Sequence, residues 1–306
     1  MGAFKNAMYT SERKSINTTR LSIEYLEWNP DGLRTVVLVH GWPDAARTWN
    51  QVAQALAAAG YRVLAPSVRG YGGTHFLNPT TPRSGELVAL GCDLIDFVQA
   101  LNLHQPALVG HDWGARAVAI AAGLSPGLAS HLGMVSVGYG TNAPTQALAF
   151  AQARNYWYHW FMATPLGEKT VRADPCGFAR IMWDTWSPAG WFDQAEFDAT
   201  AAAFENPDWV DVTLHSYRHR WGHAEGDPFY GAQIAALNPL PIIAKPMLVI
   251  HGGADAVNPA QTSAGKEQWF SGPYRRVVLD GVGHFPQREQ PTAVAEALID
   301  FFESRQ

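Results

Sequence analysis

The sequence predicts an α/β chain: a mostly parallel, doubly wound sheet with a helical segment inserted between two of its strands. Three observations carry this. Short apolar runs rich in β-branched residues alternate with helix-patterned runs through the first 140 residues. The alternation stops over 141–240, which is helical in pattern, aromatic and broken by Pro and Gly, and it resumes from 241 to the end. Strand-helix-strand alternation implies a parallel sheet covered on both faces, and the interruption implies an insertion. The expected division is a core of 1–140 with 241–306, and a helical cap of 141–240.

Taken in order, "TVVLVHG" (35–41) reads as a buried strand ending in a turn, followed by the helical spacing of "TWNQVAQALAAAG" (48–60) with a Gly stop. "YRVLAPSVRGYGGT" (61–74) is a strand running into a Gly-rich loop, and "ELVALGCDLIDFVQALN" (86–102) an amphipathic helix. "PALVGHD" (106–112), "GARAVAIAAGLSPG" (114–127) and "HLGMVSVGYG" (131–140) give strand, helix and strand. Beyond the insertion, "KPMLVIHGGAD" (245–255) and "YRRVVLDGVGH" (274–284) are strands, and "PTAVAEALIDFFESR" (291–305) is the closing helix.

Composition narrows the function. An apolar fraction of 47% with 16% charged residues suits a large buried core. A net charge of -5 with 22 Lys+Arg opposes an electrostatic nucleic-acid footprint, and no apolar run is long enough to span a bilayer. The opening "MGAFKNAMYTSERKS" has no hydrophobic signal core, and Cys92 and Cys176 form no C-x-x-C pair, so the cytoplasm is the expected compartment. Seven of the 12 Trp fall within 141–240, as core filler or as the wall of an apolar pocket.

Polar residues cluster at predicted strand ends, where parallel sheets build their sites. These are "HGWPD" (40–44), "GHDWG" (110–114), "GGAD" (252–255) and "GVGHF" (281–285). Gly110 and Gly114 flank a sharp strand-to-helix turn that projects Asp112, and the helix N-terminus behind it favours a carboxylate there. An ionised Asp112 can attack an electrophilic carbon without first losing a proton. Asp112, Asp255 and His284 follow in the order nucleophile, acid, base.

Together "HGWPD", "RGYGGT", "GHDWGARA", "GGADAVNP" and "GVGHFPQREQP" resemble the epoxide hydrolase and haloalkane dehalogenase branch of the α/β-hydrolase superfamily, over about residues 20 to 303. The resemblance implies that Asp112 forms an alkyl ester, which water activated by His284 and Asp255 then hydrolyses. It also implies an oxyanion hole of the Trp42 and Trp113 backbone N–H groups, the first aimed by a cis Trp42–Pro43 bond. Some relatives carry the acid near 136–142, but no Asp or Glu occurs between Asp112 and Glu168. Asp255 is therefore the expected acid; Asp280, four residues before His284, reads as a loop residue.

The leaving group is to be read from the cap. An epoxide oxygen needs acidic O–H donors, a halide only N–H donors in a dry pocket. By resemblance the first donor lies in "YHWFMATP" (158–165), where Tyr158 fits without gaps and Tyr156 and His159 compete, and the second is Tyr217 in "HSYRHRWG" (215–222). Pro43, Trp113, His159 and Trp160 are the expected substrate contacts. Fluoroacetate dehalogenases share the "HW" (159–160) and an arginine matching Arg116, but Trp113 stands where they carry another arginine. The expectation is a hydrolase acting on a small apolar epoxide, with a halogenated substrate as the alternative and a non-catalytic receptor as a third reading. No cofactor or metal is expected: His215, His219 and His223 recur at helical spacing, but a packed or solvated histidine face explains them. The oligomeric state is open, a homodimer included.

Overall fold

The computed structural model describes residues 9–141 and 146–304. Among these, nine strands form one sheet: β1 (Glu12–Asn17), β2 (Leu21–Trp28), β3 (Arg34–Val39), β4 (Tyr61–Pro66), β5 (His75–Phe76), β6 (Ala107–His111), β7 (Leu132–Val135), β8 (Met247–Gly252) and β9 (Tyr274–Leu279). The order is β1-β2-β4-β3-β6-β7-β8-β9, with the short β5 paired to β2. From β4 to β9 every pairing is parallel; β2 meets β1, β4 and β5 antiparallel.

Side chains alternate across a strand, and the two faces separate accordingly. Val36, Leu38, Val63, Val109 and Ile250 pack with α1 (Asn50–Ala58) and the C-terminal helix, Pro291–Glu303. Val37, Val39, Leu64, Leu108 and Met134 belong to a second core with residues of α2 (Leu87–Ala100) and α3 (Trp113–Leu124). The predicted strand-helix alternation is explained by this double covering.

Two differences from the sequence reading have physical causes. The strands β1 and β2 escaped it because β1 is an exposed edge rich in charge, held by pairs such as Arg13–Glu24 at 3.0 Å. In β2, Glu24 and Glu27 interrupt the apolar alternation; Glu27 is nonetheless buried, paired to Lys14 at 2.5 Å and Arg62 at 2.6 Å. The expected strand 131–140 ends at Val135, because Ser136 takes φ +62°, outside the strand region.

Between β7 and β8 the chain is helical: α4 (Phe150–Asn155), α5 (Trp157–Met162), α6 (Pro165–Ala173), α7 (Pro175–Thr185), α8 (Gln194–Ala201), α9 (Trp209–Arg220) and α10 (Gly231–Ala236). Thr164 and Asp174 cap α6 and α7 by accepting from the N–H of Gly167 and Gly177, each with Pro at the first helical position. Aromatic side chains of α5, α7 and α9 join the core cluster that contains Trp42 and Trp113. These helices thus pack against the loops at the carboxyl ends of β3 and β6.

Candidate active site

β6 delivers Asp112 at a turn of unusual backbone, φ +49° and ψ −112°, before α3 begins at Trp113. A non-glycine residue there is strained and must be held by its surroundings. Close approach enforces the flanking glycines: a Cβ on Gly110 would lie 2.1 Å from the Gly114 carbonyl carbon, and one on Gly114 2.2 Å from the Val39 oxygen.

The Asp112 carboxylate is divided in its contacts. Its Oδ1 accepts from the Trp42 backbone N–H at 3.0 Å, and the Trp42–Pro43 bond is cis. Its Oδ2 lies 3.9 Å from His284 Nε2, beyond hydrogen-bond reach. Trp113 is the first residue of α3, so its N–H is one of the donors that a helix leaves without a helical acceptor. Pro43 offers its carbonyl to Trp183 Nε1 at 2.8 Å.

His284 is fully buried, and its Nδ1 bonds Asp255 Oδ2 at 2.8 Å. Since the carboxylate only accepts, that nitrogen carries the proton and Nε2 presents its lone pair. Nε2 is buried with no partner. Asp255 Oδ1 accepts from the N–H groups of Val257 at 3.0 Å and Asn258 at 2.8 Å. Burial raises the Asp255 pKa, but the His284 charge and hydrogen bonds from His251 and His284 outweigh it, leaving a value of about 2. For His284 burial pulls downward, and Asp255 and Asp112 overcome it, so the imidazole ends more basic than usual.

Rings enclose this centre. Tyr158 stacks on Trp42 with centroids 5.4 Å apart at 9°, and Tyr217 meets Trp42 edge-on at 5.1 Å. The Tyr217 hydroxyl accepts from Trp113 Nε1 at 3.2 Å, which leaves its own proton free to be donated. Burial, before any neighbouring charge, keeps both phenols well above their ordinary pKa and therefore protonated. Trp186 meets His284 edge-on at 4.9 Å.

Of the competitors of Tyr158, Tyr156 alone has its donor engaged. The Tyr156 hydroxyl donates to Asn258 Oδ1 at 2.7 Å. His159 Nδ1 accepts from Trp221 Nε1 at 3.0 Å, so its proton lies on Nε2, which is buried without a partner. Burial, aided by Arg220 and Arg116, holds His159 neutral, its pKa far below the usual imidazole value. Trp160 meets His159 edge-on at 6.0 Å and packs on Trp221 at 5.1 Å, and its N–H goes to the Ala153 carbonyl at 2.8 Å.

Several residues that shape the site were not singled out in the sequence. Ser187 accepts from the His284 N–H at 2.9 Å and donates to Glu289 Oε1 at 2.7 Å. Glu289 also accepts from the N–H groups of Gly283 at 2.6 Å and Phe285 at 3.0 Å, fixing the loop that bears His284. His111 Nε2 bonds the His284 carbonyl at 2.7 Å, and Arg288 pairs with the buried Asp44 at 2.6 Å. "GVGHFPQRE" contained Glu289 and Arg288, but Ser187 and Asp44, which they meet, are remote in sequence.

α9 ends at Arg220, so His223 lies beyond the helix, and His215 is occupied by the Gly85 N–H and the Glu225 carbonyl, each at 3.0 Å. Among the described residues no group of three or more His, Cys, Asp or Glu could hold a metal ion. Nor is any helix among them long and apolar enough to cross a membrane.

A parallel sheet with helices between β7 and β8, and a carboxylate, an imidazole and a nucleophile-type elbow at its carboxyl ends, defines a hydrolase scaffold. The chain belongs to the alpha/beta hydrolase fold family, whose model matches residues 34–291, and it is a hydrolase. More particularly, it is similar to Epoxide hydrolase A of Mycobacterium tuberculosis, at 29% identity over 94% of this chain and 95% of that protein. Among solved structures it resembles a candidate epoxide hydrolase from Klebsiella pneumoniae, with a TM-score of 0.90, 37% identity and coverage of 95% and 97%. It also resembles Epoxide Hydrolase A from Mycobacterium thermoresistibile, with a TM-score of 0.76, 26% identity and coverage of 97% and 99%.

Proposed function

We propose that the chain is an epoxide hydrolase that converts a small, largely apolar epoxide to a vicinal diol through a covalent ester on Asp112. In this reading 1–140 and 241–306 form the core, and 141–240 the cap that supplies the phenols. The observation that carries it is the hydrogen bond from Trp113 Nε1 to the Tyr217 hydroxyl. It engages the indole N–H that a halide would need and leaves an O–H to donate to an epoxide oxygen. The names of the similar proteins support the same chemistry.

The contacts of Asp112 suggest a division of labour. Oδ2, free of the Trp42 N–H, attacks an epoxide carbon; the C–O bond breaks, and the ring oxygen takes a proton from a tyrosine. Tyr158 and Tyr217 are the pair that brackets this oxygen. His284 Nε2 then removes a proton from water, which attacks the ester carbonyl. Oδ1 becomes the oxyanion and already rests against the Trp42 N–H, with the Trp113 N–H as second donor; such preorganised donors are worth about 3–4 kcal/mol each. Pro43, Trp113, His159 and Trp160 line the substrate site with Tyr158.

The test is a single turnover of styrene oxide in heavy-oxygen water with enzyme in excess. The reading expects diol whose new oxygen is light, because it comes from Asp112, and heavy oxygen left in the protein. Diol carrying solvent oxygen in the first turnover would overturn the ester mechanism. Bromide released from 1-bromobutane with no diol from styrene oxide would overturn the epoxide assignment.

A further inference from the structure

Arg220 closes α9 with a buried guanidinium that has no carboxylate partner among the described residues. Its Nε and Nη2 are buried without any hydrogen-bond partner. The sequence explains part of this: from residue 113 to 167, the stretch running through α3, α4 and α5, there is no acidic residue. An uncompensated buried charge is costly and calls for a role that stability does not provide. The guanidinium carbon sits 4.9 Å from the centroid of the Tyr217 ring, within the range of a cation–π contact.

The two phenols beside Asp112 are therefore unequal. Tyr217 has a cation over its ring and the Trp113 N–H on its oxygen. Tyr158 stacks on Trp42, and among the described residues no cation lies over its ring. We propose that Arg220 is the positioning residue that makes Tyr217, not Tyr158, the proton donor, by holding positive charge over the ring where the phenolate forms. The inference rests on the epoxide-opening reading above.

The balance of the step is explicit. As Asp112 Oδ2 bonds to carbon and the epoxide C–O bond breaks, the proton passes from the Tyr217 oxygen to the new alkoxide, leaving a phenolate. Trp113 donates a hydrogen bond to that phenolate, and Arg220 balances its charge. In the second step His284 takes a proton from water and returns it to the departing diol oxygen. The carboxylic acid then formed at Asp112 loses its proton to the phenolate, which restores the resting state.

The groups facing Tyr217 are Asp112, Arg116 and Trp113 from the β6–α3 side, Tyr71 from the loop after β4, Tyr158 and His159 from α5, and Arg220 from its own helix. Burial and Asp112 oppose phenolate formation; Arg220 and the Trp113 hydrogen bond favour it. Arg116 is occupied by the Thr141 carbonyl at 2.8 Å and does not lie over the ring.

The test uses Arg220→Gln and Arg220→Lys, each also in a background of Tyr217→3,5-difluorotyrosine, whose more acidic phenol can be followed by phenolate absorbance. Loss of Arg220 should slow ester formation from styrene oxide about tenfold or more and raise the difluorophenol pKa by about one unit or more. Lysine should recover part of both effects, and difluorotyrosine should recover the rate in Arg220→Gln. The inference is overturned if the phenol titration does not move, or if fluorination at 158 rescues while fluorination at 217 does not. If the titration moves as expected but no epoxide is opened by the parent enzyme, the coupling stands and the epoxide reading is what fails.

Discussion

Nε2 of His284 stands 3.9 Å from Oδ2 of Asp112, while Nδ1 of the same ring is fixed at 2.8 Å on Asp255. The imidazole is thus oriented by one carboxylate and does not hydrogen-bond the other. A serine nucleophile would need direct contact with its base; a carboxylate needs none. In the proposed reaction this spacing separates the base from the nucleophile, so the two steps should be independently breakable.

Asp112→Asn should remove ester formation. A neutral amide is a far weaker nucleophile, and turnover of styrene oxide should fall by at least about 10⁴-fold, a scale comparable to loss of other covalent nucleophiles. The measurement is diol formed within minutes of purification. Activity that rises on standing would report deamidation; full activity at once would show that residue 112 is not the attacking group.

His284→Gln should leave the first step and block the second. A glutamine keeps the ring position filled but cannot take a proton from water. Intact-protein mass spectrometry after mixing with styrene oxide should show the mass of one added substrate, located by proteolysis on the peptide containing Asp112. An unchanged mass, with ester formation intact in the parent, removes His284 from the second step.

How much of this was legible in the chain depends on the range of the contacts. β3, β4, β6 and β8 announced themselves because strands buried on both faces are continuous apolar runs. Asp112, Asp255 and His284 stood out because glycine-rich turns surround them, a local signal. Ser187, Glu289 and Arg220 carried no such signal: Ser187 meets His284 across 97 positions, and Arg220 matters through a ring three residues earlier and an acid that is absent. β1 and β2 were hidden for a different reason, since their charges pair with one another and mask the alternation.

In the proposed reaction the Asp255–His284 pair should set the pH dependence. His284 is more basic than an ordinary imidazole, so ester hydrolysis should fall as pH drops through that raised value. Asp255→Asn removes the charge that raises it, moving the acid limb lower, and an amide can donate to Nδ1 and so misplace the ring proton. Hydrolysis should slow by about 10³–10⁴-fold, as for other misoriented triads. Rapid-mix kinetics from pH 5 to 9 separate limb position from limiting rate; an unmoved limb would mean Asp255 does not set the basicity of His284.

Asp255 also contributes to stability, and that contribution too is lost on acidification, in a lower pH range. Its folded pKa of about 2 lies below the ordinary aspartate value of 3.8, so the stabilisation is present above 3.8 and disappears as pH falls towards 2. Linkage gives about 2 kcal/mol for that difference. The wild-type advantage over Asp255→Asn in urea denaturation should therefore shrink between pH 4 and pH 2, and a gap that stays constant would assign the stabilisation elsewhere.

Gly114→Ala tests the elbow itself. The added methyl would lie 2.2 Å from the Val39 oxygen and 2.8 Å from the His40 oxygen, both backbone atoms that cannot rotate away. α3 must shift from β3, which costs about 1–3 kcal/mol in a packed interior. Because Asp112 and the Trp113 N–H ride on the start of that helix, activity should fall further than stability predicts. Thermal denaturation and ester formation measured on the same preparation separate the two losses. A variant with lowered Tm but an undiminished rate of ester formation would mean that close packing of α3 on β3 is not what aims Asp112.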